Sequence, residues 1–118
     1  MKISIVIPNY NSGNVLKNSL PRLLEVGVEE IIVVDDASTD NSMEQIKSLK
    51  FKVQIKQSFS TNESLKLKII ESKRNLGFSS TVNRGVLEAT GEIVVLLNTD
   101  VMPEKDFLQF LLPHFTDP

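Results

Sequence analysis

Ile93-Val94-Val95-Leu96-Leu97-Asn98-Thr99-Asp100 is the stretch whose reading decides the fold. It is a continuous apolar run that turns abruptly polar. Without alternation and with β-branched residues, it reads as a strand buried on both faces, as in a parallel sheet covered by helices. Open α/β sheets bind their ligands beyond the C-terminal ends of the strands. Asn98 and Asp100 therefore fall where oxygen ligands for a divalent cation and a phosphate would be useful.

Outward from this run, two earlier segments have the same character. Ile3 to Ile7 is an apolar strand stopped by Pro8, and Glu30 to Val34 is a β-branched strand ending at Asp35-Asp36. Between them, Asn9 to Asn14 is rich in turn formers. Val15, Leu16, Leu20, Leu23 and Leu24 then give a helical face, with Asn14 as N-cap, Pro21 expected to kink or split the helix, and Gly27 as its C′ stop. Asn41-Ser42-Met43-Glu44 has capping-box spacing and predicts a helix from about Ser42 to Leu49. Phe51 to Gln57 and Leu65 to Ile70 alternate apolar and polar residues. They predict two strands paired as a hairpin at one sheet edge, where their lysines discourage further pairing. Ser79 to Thr90 reads as a helix closed by Gly91. Pro103, at a helix N1 position with Glu104 and Asp106 in the first turn, opens a last helix with a Phe107, Leu108, Phe110, Leu111, Leu112 stripe.

This alternation predicts an α/β fold: a mostly parallel, Rossmann-like sheet with helices on both faces, forming one domain over residues 1–118. A parallel sheet collects the C-terminal ends of its strands along one edge. Pro8 to Tyr10, Asp35-Asp36 and Asn98 to Asp100 become neighbours there despite their separation in sequence.

Composition narrows the function classes. With 118 residues, 41% apolar and 24% charged, the chain has an ordinary globular balance. A formal net charge of -2 gives no reason to expect a nucleic-acid partner or an anionic membrane surface. The absence of cysteine excludes disulfides and thiolate metal sites and fits a reducing compartment. The apolar start is too short for a signal peptide, and no segment is long enough for a membrane span, so the expected location is the cytoplasm. His114 has no metal-ligand neighbours in sequence and reads as a surface residue.

The strand-end residues suggest a chemistry. Asp36 can accept a hydrogen bond from a ring N–H of a nucleobase, and Tyr10 offers a face for stacking, which contributes about 1–3 kcal/mol per base. Asp100 can ligate Mg²⁺ or Mn²⁺, hard ions that commonly bridge substrate phosphates. Taken singly, each has a plainer reading. Asp35-Asp36 is equally a turn and cap before the next helix, Tyr10 a rim residue, Asn98-Thr99-Asp100 an Asx turn, and Arg84 a solvated charge that could reach a phosphate.

The motifs together resemble the family 2 glycosyltransferases, enzymes of the GT-A fold. The matching pieces are Val6 to Asn11, Ile32 to Asp40, Asn75-Leu76-Gly77-Phe78, Asn83-Arg84-Gly85, Ala89 to Glu92 and Leu97 to Asp100. They occur in the family's order across nearly the whole chain, which is far more specific than a lone motif. The resemblance implies a nucleotide-sugar donor site with Pro8, Tyr10, Asp36, Asn75 and Asn98 around the nucleotide and Asp100 on the metal. Asn98 stands where the family's D-x-D motif has its first aspartate, so one charge is lost. The implied donor is a dTDP-, UDP- or GDP-sugar, with a rhamnosyltransferase-like flavour to the variants. The acceptor is unidentified.

Family members also need an acceptor site and a general base in a following half. Nothing after Asp100 in this sequence supplies that base. The expectation is therefore a donor-binding half, catalytically incomplete by itself and prone to self-association through the face the other half would cover. The whole protein is expected in the cytoplasm or peripheral at the inner face of a membrane. Competing readings are a nucleotide-binding module without catalysis and a sugar nucleotidyltransferase. The latter wants a glycine- and basic-rich phosphate loop, which Asn9 to Gly13 does not provide. A dinucleotide-binding domain fails equally, having no G-x-G-x-x-G after the first strand.

Overall fold

The computed structural model describes residues 2–26, 28–58, 66–101 and 107–116. Its strands are β1 (Ile3–Asn9), β2 (Glu30–Asp35), β3 (Lys66–Glu71) and β4 (Ile93–Leu96). Its helices are α1 (Gly13–Leu23), α2 (Ser42–Ser58), α3 (Phe78–Glu88), α4 (Phe107–Leu111) and α5 (Pro113–Thr116). The strands form one sheet in the order β3-β2-β1-β4, with every pair parallel.

Strand alternation sorts the core into two layers. Ile3, Ile5, Ile7, Ile31, Val33 and Leu67 face α1 and α2 and meet Leu16, Leu20, Leu23 and Ile46. Full burial of each such side chain contributes about 1.5–3 kcal/mol. Val6, Ile32 and Val34 face α3. Gly85 is what brings α3 so close: a Cβ there would stand 2.3 Å from Val6 Cγ1 and 3.0 Å from Val34 Cγ2.

Several sequence expectations need correction. The predicted strand over Phe51 to Gln57 is helix, because α2 runs on from Ser42 to Ser58. Lysine and glutamine are good helix formers, and once a helix is nucleated each added residue costs little. There is accordingly no hairpin; β3 pairs parallel with β2 instead. β3 does lie at a sheet edge and does carry Lys66 and Lys68 there. Pro8 does not stop β1. Only Val6 and the residues before it pair with β4, so the missing proline N–H falls where no neighbouring strand waits for it. Pro21 does not split α1, which runs through it to Leu23 although the ring supplies no N–H to the helix ladder. The N-cap of α1 is Ser12, two residues before the expected Asn14. At α2, Asp40 caps the helix by accepting from the Ser42 backbone N–H at 2.9 Å. Gly27, Pro103, Glu104 and Asp106 lie outside the described residues.

The opening stretch needs the largest correction. β4 is an edge strand, and its burial alternates. Ile93 and Val95 pack on the main core, while Val94 and Leu96 are 38% and 44% exposed. α3 sits over β1 and β2, so it leaves the same face of β4 open.

At the edge opposite the strand ends just described lies a buried charge. Glu30, fully buried, accepts from Ser4 Oγ at 2.6 Å and from Thr90 N at 2.9 Å, and pairs with Lys68 Nζ at 2.7 Å. Burial pushes its carboxyl up, but the Lys68 ammonium, the Ser4 hydroxyl and the two Thr90 bonds outweigh that and hold it at about 2. This network ties the end of α3 and the start of β4 to the sheet. Among the described residues, no helix is long and apolar enough to cross a membrane.

Candidate functional site

A cleft of about 650 Å³ opens at the C-terminal edge of the sheet. Pro8, Tyr10, Asp36, Asn75, Asn98 and Asp100 all line it. These six come from the ends of β1, β2 and β4 and from the loop before α3. Parallel strands alone make that convergence possible.

The two adjacent aspartates part company. Asp35 Oδ1 accepts from Asn9 Nδ2 at 2.8 Å and Ser38 Oγ at 2.6 Å, and Oδ2 accepts from Ser38 N at 3.0 Å. It is a turn organiser, as the plainer reading had it. Asp36 turns the other way. Its Oδ1 accepts from Leu76 N at 2.7 Å and its Oδ2 from Gly77 N at 3.0 Å. Asn75 Nδ2 also reaches the Asp36 carbonyl at 3.4 Å. Asp36 thus pins the loop that leads into α3 while keeping a 4% exposed edge on the cleft. Ala37 makes the divergence possible by adopting φ 56. That left-handed conformation costs a residue with a Cβ about 1–2 kcal/mol, which the surrounding bonds offset. Gly77, at φ 89, takes a positive φ that its missing Cβ tolerates without strain.

Tyr10 is 49% exposed at the rim, free to offer a ring face. Behind it a second network joins the loops after β1 and β2. Asn11, at φ 51, accepts through Oδ1 from Thr39 N at 2.7 Å and Asp40 N at 3.2 Å. The Asn11 N–H in turn donates to Ser38 Oγ at 2.9 Å.

On the far side, Asn98 and Asp100 are exposed within a turn closed by Val101 N donating to Asn98 O at 3.1 Å. Ser19, buried on α1, donates to Thr99 O at 3.0 Å and fixes that turn to the helix. Among the described residues no group of three His, Cys, Asp or Glu could hold a metal ion. The donor set fits a hard divalent cation only if a ligand's phosphates complete the shell around Asp100, which is how Mg²⁺ is commonly held. Arg84 is neither a free surface charge nor aimed at the cleft: its Nη1 donates to Ser72 Oγ at 2.7 Å.

Asn9, Asn11, Ser19 and Ser38 were not singled out from the sequence. Ser19 had a legible signal, a hydroxyl on the apolar face formed by Leu16, Leu20 and Leu23. The others lie in polar turns where nothing marks one residue above its neighbours.

The open parallel sheet and the cleft at its strand ends define an α/β protein of the type that binds ligands at that edge. The chain belongs to glycosyl transferase family 2, whose model matches residues 4–118. It is 30% identical over 115 residues to dolichol-phosphate mannosyltransferase of Pyrococcus furiosus, a match covering 95% of this chain and 29% of that protein. Among solved structures it is similar to mannosyltransferase PcManGT from Pyrobaculum calidifontis in complex with GDP-Man and Mn²⁺. The TM-score is 0.80 at 25% identity, covering 99% of this chain and 33% of the other. Glucosyl-3-phosphoglycerate synthase from Mycobacterium tuberculosis, in complex with Mn²⁺, UDP and glucosyl-3-phosphoglycerate, shares the fold at 19% identity. Its TM-score is 0.68, with 98% of this chain and 40% of the other covered. The chain therefore spans about a third of the length of these relatives.

Proposed function

We propose that the cleft is the donor site of a glycosyltransferase and holds a nucleotide-diphosphate sugar for transfer to an acceptor. One observation carries this reading: six residues from separate stretches, singled out as nucleotide or metal contacts, line one cleft. Tyr10 and Pro8 would lie against the base, with Asp36 and Asn75 at its edge. Asn98 would meet a ribose or sugar hydroxyl, and Asp100 would hold Mg²⁺ or Mn²⁺. A cation held there would supply Lewis-acid stabilisation of the charge on the departing diphosphate. The test is calorimetric titration of the folded chain with UDP, dTDP and GDP, each with and without Mn²⁺. Micromolar to millimolar binding, strengthened by metal, is expected; no binding of any nucleotide overturns the donor site.

A second reading applies to these 118 residues by themselves. Among the described residues lining the cleft, the only carboxylates are Asp36 and Asp100, and Asp36 is already bonded twice. Neither suits the general base of an inverting displacement. That favours donor binding without transfer by this chain, with the acceptor site and base elsewhere in a whole protein. Sugar transfer at a steady rate by the 118-residue chain would exclude this second reading.

A further inference from the structure

We infer that the outer side of β4 is an interface between two copies of this chain, paired antiparallel about a two-fold axis at Val95. β4 ends the sheet, and among the described residues no strand pairs with its far side. The two outermost strands are unlike. β3 carries Lys66 and Lys68, and its Glu71 is bonded to Lys47 at 2.6 Å, charges that discourage a further strand. Ile93 to Leu97 has no charge, proline or glycine to do the same. Its open face is apolar as well. Arg84 Nη1 bonds Ser72 Oγ, just past β3, so that flank of α3 stands on the β3 side. The opposite flank, with exposed Phe78 and Val86, stands on the β4 side and walls the exposed Val94 and Leu96. Single exposed apolar residues are ordinary, but an apolar strip beside a bare strand edge is a docking surface.

A second copy fits this surface because the strand is complementary to itself. Ile93 N–H donates to Lys2 O at 3.3 Å and Leu97 N–H to Val6 O at 3.0 Å, both toward β1. Successive residues of a strand turn their N–H and C=O groups to alternate sides, so Val95 also faces β1 while Val94 and Leu96 present theirs outward. A two-fold at Val95 sets Val94 opposite Leu96 of the second copy, and Leu96 opposite its Val94. Each such pair exchanges two hydrogen bonds, about four in all. Opposed residues share a face, so the two open strips merge between two α3 helices and leave water together. A two-fold at Val94 would set Leu96 against the Glu92 carboxylate. One at Leu96 would set Val94 against Asn98, which the turn to Val101 has already bent out of the ladder. The ends agree in charge with the axis at Val95. Continued past the strands, it carries Asp100 toward Thr90 of the second copy, whose Oγ1 holds the Lys2 ammonium at 2.5 Å.

The test is the mass of the full chain by sedimentation equilibrium over a concentration series from about 5 to 500 µM. The expected result is a monomer–dimer equilibrium with a dissociation constant on the order of 10–100 µM and no larger species, because a two-fold pairing closes on itself. Val94→Lys, at an exposed position that leaves the fold intact, should raise that constant at least ~10-fold. Register is read by disulfide formation in a chain that has no cysteine of its own. In the pair, Val95 stands opposite its own copy with Cα atoms about 4.5 Å apart, within disulfide reach. The two Val94 are diagonal neighbours about 7–8 Å apart, beyond it. Val95→Cys should therefore cross-link at least ~10-fold faster than Val94→Cys, although Val94 is the more exposed and random collision would favour it. A monomer throughout the series overturns the inference and leaves this side of β4 to a different polypeptide. So do growth beyond the dimer, undiminished pairing of Val94→Lys, and Val94→Cys cross-linking as fast as Val95→Cys.

Discussion

Asp35 and Asp36 are neighbours in sequence and have different jobs. Asp35 is consumed by its own turn, with three donors on its two oxygens. Asp36 bonds across to Leu76 and Gly77 and keeps an edge on the cleft. The substitution Asp36→Ala should therefore do two things at once. It should weaken nucleotide binding by roughly tenfold or more with or without metal, and it should lower stability by about 2–4 kcal/mol through the two lost charge-assisted bonds. Asp100→Ala, on an exposed turn, should leave stability within about 0.5 kcal/mol and remove only the metal-dependent part of binding. Titration with and without Mn²⁺, beside a denaturant melt, separates the two; identical behaviour of the variants would refute this division of roles. Residue types and strand ends were enough to point to these positions in the sequence. That Asp36 is also a strut was not legible, because its partners are backbone N–H groups forty residues away, and any residue supplies those.

Elements place the residues. α1 holds the turn bearing Asp100 through one hydroxyl, Ser19 on Thr99 O. Ser19→Ala is expected to reduce the Mn²⁺ enhancement of nucleotide binding several-fold and leave metal-free binding unchanged, which paired titrations would check. α3 depends on its closeness to the sheet. Gly85→Ala drives a Cβ into Val6 and should cost about 2–3 kcal/mol, read as a lower denaturation midpoint. The parallel order of β1, β2 and β4 was legible because each is a β-branched run ending in polar residues. The fate of 51–57 was not. Alternation over two helical turns cannot be told from a helix continuing out of a good cap, and the helix won. The reading of β4 failed differently. An unbroken apolar run says that both faces avoid water in the finished fold. It does not say whether a helix of the same domain covers each face, and α3 sits over β1 and β2, leaving Val94 and Leu96 of β4 exposed.

For the whole molecule, the sheet has two chemically distinct edges. The strand ends gather the cleft; the strand starts gather Glu30, Ser4, Lys68 and Thr90. Glu30 titrates at about 2 in the fold against an ordinary 4.5, so the fold binds fewer protons than the unfolded chain between those values. Its stabilisation is fully present above about pH 4.5 and is lost as pH falls through about 2, amounting to on the order of 3 kcal/mol. Denaturant midpoints measured from pH 7 down to 2 should therefore fall. In Glu30→Gln the fall should be shallower from a lower starting point, and an unchanged slope would remove Glu30 from the account.

The placing of β1 between β2 and β4 makes the sheet a gauge of ligand length. Neighbouring strands are about 4.8 Å apart, so the strands leading to Asp36 and Asp100 are separated by about 10 Å. Strand register, with Val6 opposite both Ile32 and Leu96, keeps that span from slipping. On the proposed donor-site reading, a base seated at Asp36 with a single phosphate would fall short of a cation held by Asp100, whereas a second phosphate would close the gap. Added Mn²⁺ should accordingly tighten UDP far more than UMP. On that reading the count of phosphates would be set by backbone hydrogen bonds that never touch them.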